Sequence, residues 1–225
     1  MSRGFRFMHD VLRWLRIVDF DPRPAHREIP SFPSVIVANH PTLMDISALL
    51  ATEKDLVFPV KPGLFRSFWA RPLLSGAEHF EGAGQDRLSV GRMIDEAVDR
   101  IANGHRVIIF PEGTRSPRRD LHPFGRAAFE IALRAGVPIV PIVITCHPPW
   151  LTKDIGFFDS PPSLPTLRLR ALPPLRPERT GSSSRTTRDI VESRIRDELG
   201  LKNEPAECRH ASKTTPAEGN DARIA

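Results

Sequence analysis

Two short stretches of this chain combine side chains able to move a proton and to hold an anion. The first reads Asn39-His40-Pro41-Thr42-Leu43-Met44-Asp45. His40 and Asp45 stand five apart, which on an unbroken α-helix would separate them by about 140°. Pro41 changes that geometry, because the residue before a proline is pushed out of the α region while proline itself suits the first helical position. His40 is therefore expected in a turn and Asp45 in the first helical turn, where the imidazole can fold back onto the carboxylate. A carboxylate on one ring nitrogen fixes the tautomer, raises the basicity and leaves the other nitrogen free to take a proton. The same two residues also read as a locally satisfied histidine beside an aspartate that serves the helix dipole.

The second stretch is Phe110-Pro111-Glu112-Gly113-Thr114-Arg115-Ser116, with Arg118 and Arg119 close behind. Gly113 lets backbone approach a ligand, Thr114 offers a hydroxyl, and Arg115 can grip a phosphate through two parallel hydrogen bonds. Together they describe an oxyanion or phosphate cradle, although a tight turn with solvated arginines has the same composition. A hydrolase using Ser47, Ser75 or Cys146 as nucleophile and His40 as base is a competing enzyme, but no Gly-x-Ser-x-Gly elbow supports it.

Both stretches follow apolar runs. Val35-Ile36-Val37-Ala38 and Val107-Ile108-Ile109-Phe110 are unbroken, as expected of strands buried on both faces. Further strands are expected at Leu56 to Val60, Val137 to Ile144 and Leu167 to Leu172. Pro138 and Pro141 mark the fourth strand as an edge, a bulge or an entry point. Helices are expected over 42–52, over 86–103 with Asp86 capping the start and Asn103-Gly104 the end, over 123–135 ended by Gly136, and over 183–199. Residues 21–33, with four prolines, read as a connector that cannot continue a helix. Short strands alternating with helices make an α/β domain with a mostly parallel central sheet, spanning residues 21–199. Loops at the carboxyl ends of such strands are where α/β proteins place chemistry.

The first twenty residues space Met8, Val11, Leu12, Leu15 and Val18 at helical intervals, with Arg3, Arg6, Arg13 and Arg16 interleaved. This amphipathic basic helix is expected to pack on the core, to lie in a lipid headgroup layer, or to do each with a different part. Residues 200–225 have almost no large apolar side chains and are expected to be a disordered tail.

Length and charge bound the partners. A chain of 225 residues fits one domain with short appendages. A net charge of +5 favours anionic partners, while three Trp, no Tyr and 7% aromatics leave few stacking platforms for nucleic acid, so no nucleic-acid partner is expected. Two cysteines, Cys146 and Cys208, suit neither a disulfide framework nor a zinc site. No run of eighteen apolar residues is present, which points to a cytoplasmic protein associated peripherally with the cytoplasmic face of a membrane.

The form NHPTLMD, followed about seventy residues later by FPEGTRS and then by the proline-bearing strand Val137 to Ile142, resembles the 1-acyl-sn-glycerol-3-phosphate acyltransferase family over about residues 34–145. The resemblance implies an acyltransferase that moves a fatty acyl group from acyl-CoA or acyl carrier protein to the hydroxyl of a lysolipid. It implies His40 as general base with Asp45 orienting it, Glu112, Gly113, Thr114 and Arg115 as the acceptor-binding block, and no metal or cofactor. One block departs from the family pattern: Gly76-Ala77-Glu78-His79-Phe80-Glu81-Gly82 lacks an expected phosphate-binding arginine, for which Arg87 could substitute. Glu78 and Glu81 bring negative charge that would repel a phosphomonoester, so beside lysophosphatidic acid, the acceptor the resemblance implies, another lysophospholipid or an amino-acid lysolipid is expected.

Overall fold

A computed structural model of the chain describes residues 2–53, 55–65, 67, 77–84, 86–155, 159, 161–177 and 183–202. The first half contains α1 (Ser2–Trp14), β1 (Asp19–Phe20), α2 (Arg23–Glu28), β2 (Val35–Ala38), α3 (Asp45–Thr52), β3 (Leu56–Val57), β4 (Pro59–Val60), α4 (Pro62–Phe65) and β5 (Phe80–Glu81). There follow α5 (Arg87–Ala102), β6 (Arg106–Ile109), α6 (Ala127–Ala135), β7 (Ile139–His147), β8 (Thr166–Ala171) and α7 (Ser184–Glu198).

Six strands form the central sheet in the order β1-β8-β7-β2-β6-β3. β7, β2, β6 and β3 run parallel, while β8 is antiparallel to β7 and carries β1 parallel to itself on the edge. The sheet is buried on both faces, which is why its central strands read as continuous apolar runs. Val35, Val37, Val107 and Ile109 pack on one side against α5, α6 and α7. Ile36, Ala38 and Ile108 pack on the other side against α2, α3 and the apolar flank of α1. Each such valine or isoleucine fully withdrawn from water contributes about 1.5–3 kcal/mol.

The capping signals act as expected where they are local. Asp86 accepts the Ser89 N–H at the start of α5, and Gly136 closes α6 in the left-handed conformation at φ 63°. The expected strand over 56–60 is instead split, β3 joining the main sheet and β4 pairing with β5 in a separate two-stranded sheet. The connector over 21–33 also contains a helix, α2, because Pro22 stands at its N-cap and Pro24 in its first turn, where no intrahelical N–H is needed.

The two prolines of the fourth strand have distinct accommodations. Pro138 precedes β7 and accepts from Val35 N–H. Pro141 lies within β7, a central strand. It sits where β7 advances three residues (139 to 142) while the opposing chain advances four (175 to 171), so its missing N–H falls opposite a bulge and not a ladder partner.

α1 ends at Trp14, and the chain turns at Arg16 to bury Val18 and Phe20. Its inner side, with Phe5, His9 and Leu12, lies against the core, whereas Phe7 is 69% and Trp14 81% exposed. The core-packing expectation for this helix is thereby met on its inner side. Among the described residues no helix is long and apolar enough to cross a membrane. Of the expected tail over 200–225 only residues 200–202 are described, and there Leu201 packs on the core and donates its N–H to the Arg196 carbonyl. Residues 203–225 lie outside the described part of the chain, as do Ser75 and Gly76.

Beyond Ala38 the backbone leaves the sheet, and the next side chain replaces it. Asn39 donates through Nδ2 to the Ile144 carbonyl at 2.8 Å and accepts the Ile144 N–H at 2.7 Å. An amide side chain thus continues the β2–β7 ladder by one rung. Replacing it by Asn39→Leu leaves two buried peptide groups without partners. The expected loss is about 2–5 kcal/mol, read as a lower urea midpoint at unchanged slope; a shift equivalent to less than about 1 kcal/mol would show that the rung is dispensable.

Candidate active site

β2 and β6 are neighbours in parallel register, Val37 opposite Ile109, so the loops leaving their carboxyl ends emerge side by side. That register alone brings the two motif stretches, some seventy residues apart, to one place. The result is the strand-end setting expected for α/β chemistry.

Within the first loop, Asp45 is the opening residue of α3, and His40 sits outside the helix. His40 Nδ1 lies 2.8 Å from Asp45 Oδ2. The same oxygen accepts the Thr42 N–H at 2.9 Å. An ionised carboxylate only accepts, so the His40 proton resides on Nδ1 and Nε2 presents a lone pair. Phe110 stacks on the imidazole at 4.4 Å and 26°, holding its plane. Asp45 is wholly buried, whereas His40 keeps 16% of its side chain exposed. Burial pushes the Asp45 carboxyl up to about 6, opposed by the bonds from His40 and Thr42 and by the charge of Arg115.

The second loop binds the first through Glu112. Its Oε1 accepts from His40 N–H at 3.1 Å and from Ser116 Oγ at 2.5 Å, and its Oε2 accepts from His122 N–H at 2.8 Å. Ser116 completes the joint, its N–H donating to the His40 carbonyl at 2.8 Å. Glu112 therefore spends its carboxylate on the protein's own donors. Burial raises its pKa, and these three bonds resist the rise.

Gly113 stands at φ 68°, a left-handed conformation open to glycine, and Gly113 and Thr114 face solvent beside the pair. Arg115 reaches across the mouth of the site. Its Nη1 donates to the carbonyls of Leu151 and Thr152 at 3.0 and 2.8 Å, and the Leu151 carbonyl also accepts from Leu43 N–H. Among the described residues Nε and Nη2 make no hydrogen bond, so one edge of the guanidinium is structural and the other is free for an anion. The segment 151–152 is a wall of the site that sequence reasoning missed, since no local signal marks carbonyls that an arginine 36 residues away will hold. Ser116 was visible within its motif but carried no sign of its joining role.

Of the competing nucleophiles, Ser75 lies outside the described residues, and neither of the other two bonds His40. Ser47 Oγ contacts His9 and the Met44 carbonyl, and not His40. The Cys146 thiol is pushed up to about 11 by burial and is held in its protonated form. Glu78, expected to repel a phosphate, turns to His105 Nε2 at 2.9 Å, before the amino end of β6 and so at the opposite end of that strand from His40. Arg87 opens α5 and is exposed.

Comparison with known proteins gives these loops a context. The family model described as Acyltransferase matches residues 24–145, from α2 into β7. The 1-acyl-sn-glycerol-3-phosphate acyltransferase alpha of Mus musculus is 30% identical over 172 residues, covering 74% of this chain and 58% of its own length. The Homo sapiens protein of the same name is 30% identical over 179 residues, 76% of this chain and 59% of its own. The chain thus spans a little under three fifths of the length of these relatives. Among solved structures, the 1-acyl-sn-glycerophosphate (LPA) acyltransferase PlsC from Thermotoga maritima matches with a TM-score of 0.67 at 23% identity, covering 90% of this chain and 81% of that one, and shares the fold. With more than half of its residues matched by the family model, including both loops at the strand ends, this chain belongs to the acyltransferase family.

Proposed function

We propose that the protein transfers a fatty acyl group from a thioester of coenzyme A or acyl carrier protein to the hydroxyl of a lysolipid, with His40 as general base. The observation that carries this reading is the 2.8 Å bond between His40 Nδ1 and Asp45 Oδ2, which leaves Nε2 as the proton acceptor of a side chain that keeps 16% of its surface exposed. Nε2 takes the proton of the acceptor hydroxyl as its oxygen attacks the thioester carbonyl. The tetrahedral intermediate collapses with cleavage of the C–S bond, and the imidazolium returns the proton to the departing thiolate. Asp45 balances the positive ring in between, and no covalent enzyme intermediate is required.

The free edge of Arg115, beside Gly113 and Thr114, would hold the anionic headgroup, while Glu112 keeps the two loops in register. With Glu78 directed toward His105, a phosphomonoester meets less repulsion than the sequence implies, which favours lysophosphatidic acid as the first acceptor to try. The names of the Mus musculus and Homo sapiens relatives point the same way. Access to such a substrate would come from peripheral attachment to the cytoplasmic face of a membrane. Phe7, Trp14, Leu15 and Ile17 are exposed along one end of the molecule, with Arg3, Arg13 and Arg16 among them, as on helices that lie in a headgroup layer.

Three outcomes are expected. First, His40→Ala lowers turnover about 10²- to 10⁴-fold with the melting temperature preserved, read by mass spectrometry of products from labelled acyl thioesters and a lysolipid panel; release of free fatty acid without any acceptor would instead indicate a hydrolase. Second, kcat/KM falls as the pH is lowered through about 6, because protonation of the buried Asp45 carboxylate removes the charge that holds the His40 proton on Nδ1 and balances the imidazolium. A profile flat through that range would remove the pair from the chemistry. Third, Phe7→Ser combined with Trp14→Ser weakens cosedimentation with anionic phospholipid vesicles by about ten-fold or more, with the fold retained; unchanged partitioning would locate membrane contact elsewhere.

A further inference from the structure

α1 grips α3 at both ends with polar side chains. At the carboxyl end, Arg6 donates from Nε to the Ala51 carbonyl at 3.0 Å and from Nη2 to the Thr52 carbonyl at 3.2 Å. These are helix-end carbonyls without intrahelical donors, where a cation is favoured. At the amino end, His9 Nε2 lies 3.1 Å from Ser47 Oγ. Ser47 has one hydroxyl proton and directs it to the Met44 carbonyl at 2.8 Å, so its oxygen must accept from His9, and the His9 proton resides on Nε2.

That carbonyl matters because of its position. Met44 is the residue immediately before Asp45, and its carbonyl also accepts the first helical bond, from Ala48 N–H at 2.9 Å. Met44 supplies no side-chain cap to α3. Among the described residues Asp45 itself is anchored through Oδ2 alone, and its buried Oδ1 has no hydrogen-bond partner there. The carboxylate is thus aimed by the turn that carries it, and one side of that turn is fastened to α1. His9 is itself fully buried with its ring against Phe20, centroids 4.7 Å apart at 65°, and burial pushes its pKa down to about 4, so it stays neutral.

We infer that His9 and Ser47 are positioning residues for the His40–Asp45 pair: the Nε2–H of His9, acting through Ser47 Oγ and the Met44 carbonyl, sets the turn that aims Asp45 at His40. α1 is then part of the apparatus for acyl transfer as well as a surface for lipid. The kinetic consequence rests on the proposed acyl-transfer activity; the geometric one does not.

The test uses the full chain in three variants. His9→Phe keeps a ring against Phe20 but has no donor, His9→Gln restores an N–H near the position of Nε2, and Ser47→Ala removes the acceptor with little change in volume. With acyl-CoA and lysophosphatidic acid, His9→Phe and Ser47→Ala are expected to lower kcat about 10- to 100-fold at nearly constant KM. His9→Gln should recover most of the loss, and the double variant His9→Phe/Ser47→Ala should be no worse than either single one. In parallel, the proton NMR signal of His40 Nδ1–H should move or broaden in His9→Phe and Ser47→Ala and return in His9→Gln. Lower melting temperatures with kcat per folded molecule and the His40 signal unchanged would overturn the inference, reducing the link to packing. If His9→Phe does not fold, Ser47→Ala decides by the same two readouts. If the wild-type protein transfers no acyl group, the proposed function falls while the NMR comparison still decides the link.

Discussion

The carboxylate of Glu112 joins the two loops on which the strand-end chemistry depends. One oxygen takes the His40 N–H and the Ser116 hydroxyl, and the other takes the His122 N–H. A buried carboxylate is costly unless hydrogen-bonded, and these donors supply the compensation. They also explain how an acidic residue can sit within a block proposed to receive an anionic headgroup, since its charge is directed inward at peptide N–H groups and a hydroxyl. Loosening this joint would separate the imidazole from the Arg115 loop without touching either side chain.

Around that joint, short-range and long-range interactions divide the labour. The His40–Asp45 bond closes over five residues and is set by Pro41 and the start of α3. Apart from the local Thr42 N–H, its surroundings come from far along the chain: Phe110 against the ring, and Arg115 tied to the carbonyls of 151 and 152. The central sheet is what makes those distances small, since β2, β6 and β7 stand side by side in parallel and deliver their loops to one end.

What could be read from the residues follows the same division. Val35 to Ala38 and Val107 to Ile109 were legible because burial on both faces leaves no polar positions to confuse the period. α5 was legible from Asp86 and Asn103-Gly104, and the meeting of His40 and Asp45 from the turn expected at Pro41, although α3 opens only at Asp45 and leaves Pro41 outside the helix. β1 and β5 are two residues each, too short to carry any periodicity, and only their partners make them strands. The helix in the proline-rich connector was missed because Pro in a first turn and Pro as a breaker look alike without the neighbouring chain. At the site, the inward turn of Glu112, the reach of Arg115 to the 151–152 carbonyls and the seating of Ser47 on His9 are tertiary contacts with no local sign. The apolar stripe of α1 announced a helix but could not announce that its one buried histidine faces the helix bearing Asp45.

Asn39 fixes more than a rung of the sheet. By clamping Ile144 from both sides it gives the loop a stationary origin, so the chain from His40 onward is measured out from a point that cannot slide along β7. Adding or removing a residue between Pro41 and Asp45, in the turn that precedes α3, would change the reach from the clamp to the opening of the helix and so the spacing of the His40 ring and the Asp45 carboxylate. The tolerance of this loop is therefore asymmetric: side chains such as Leu43, turned to solvent, are open to exchange, while the count of residues is held by the clamp behind it.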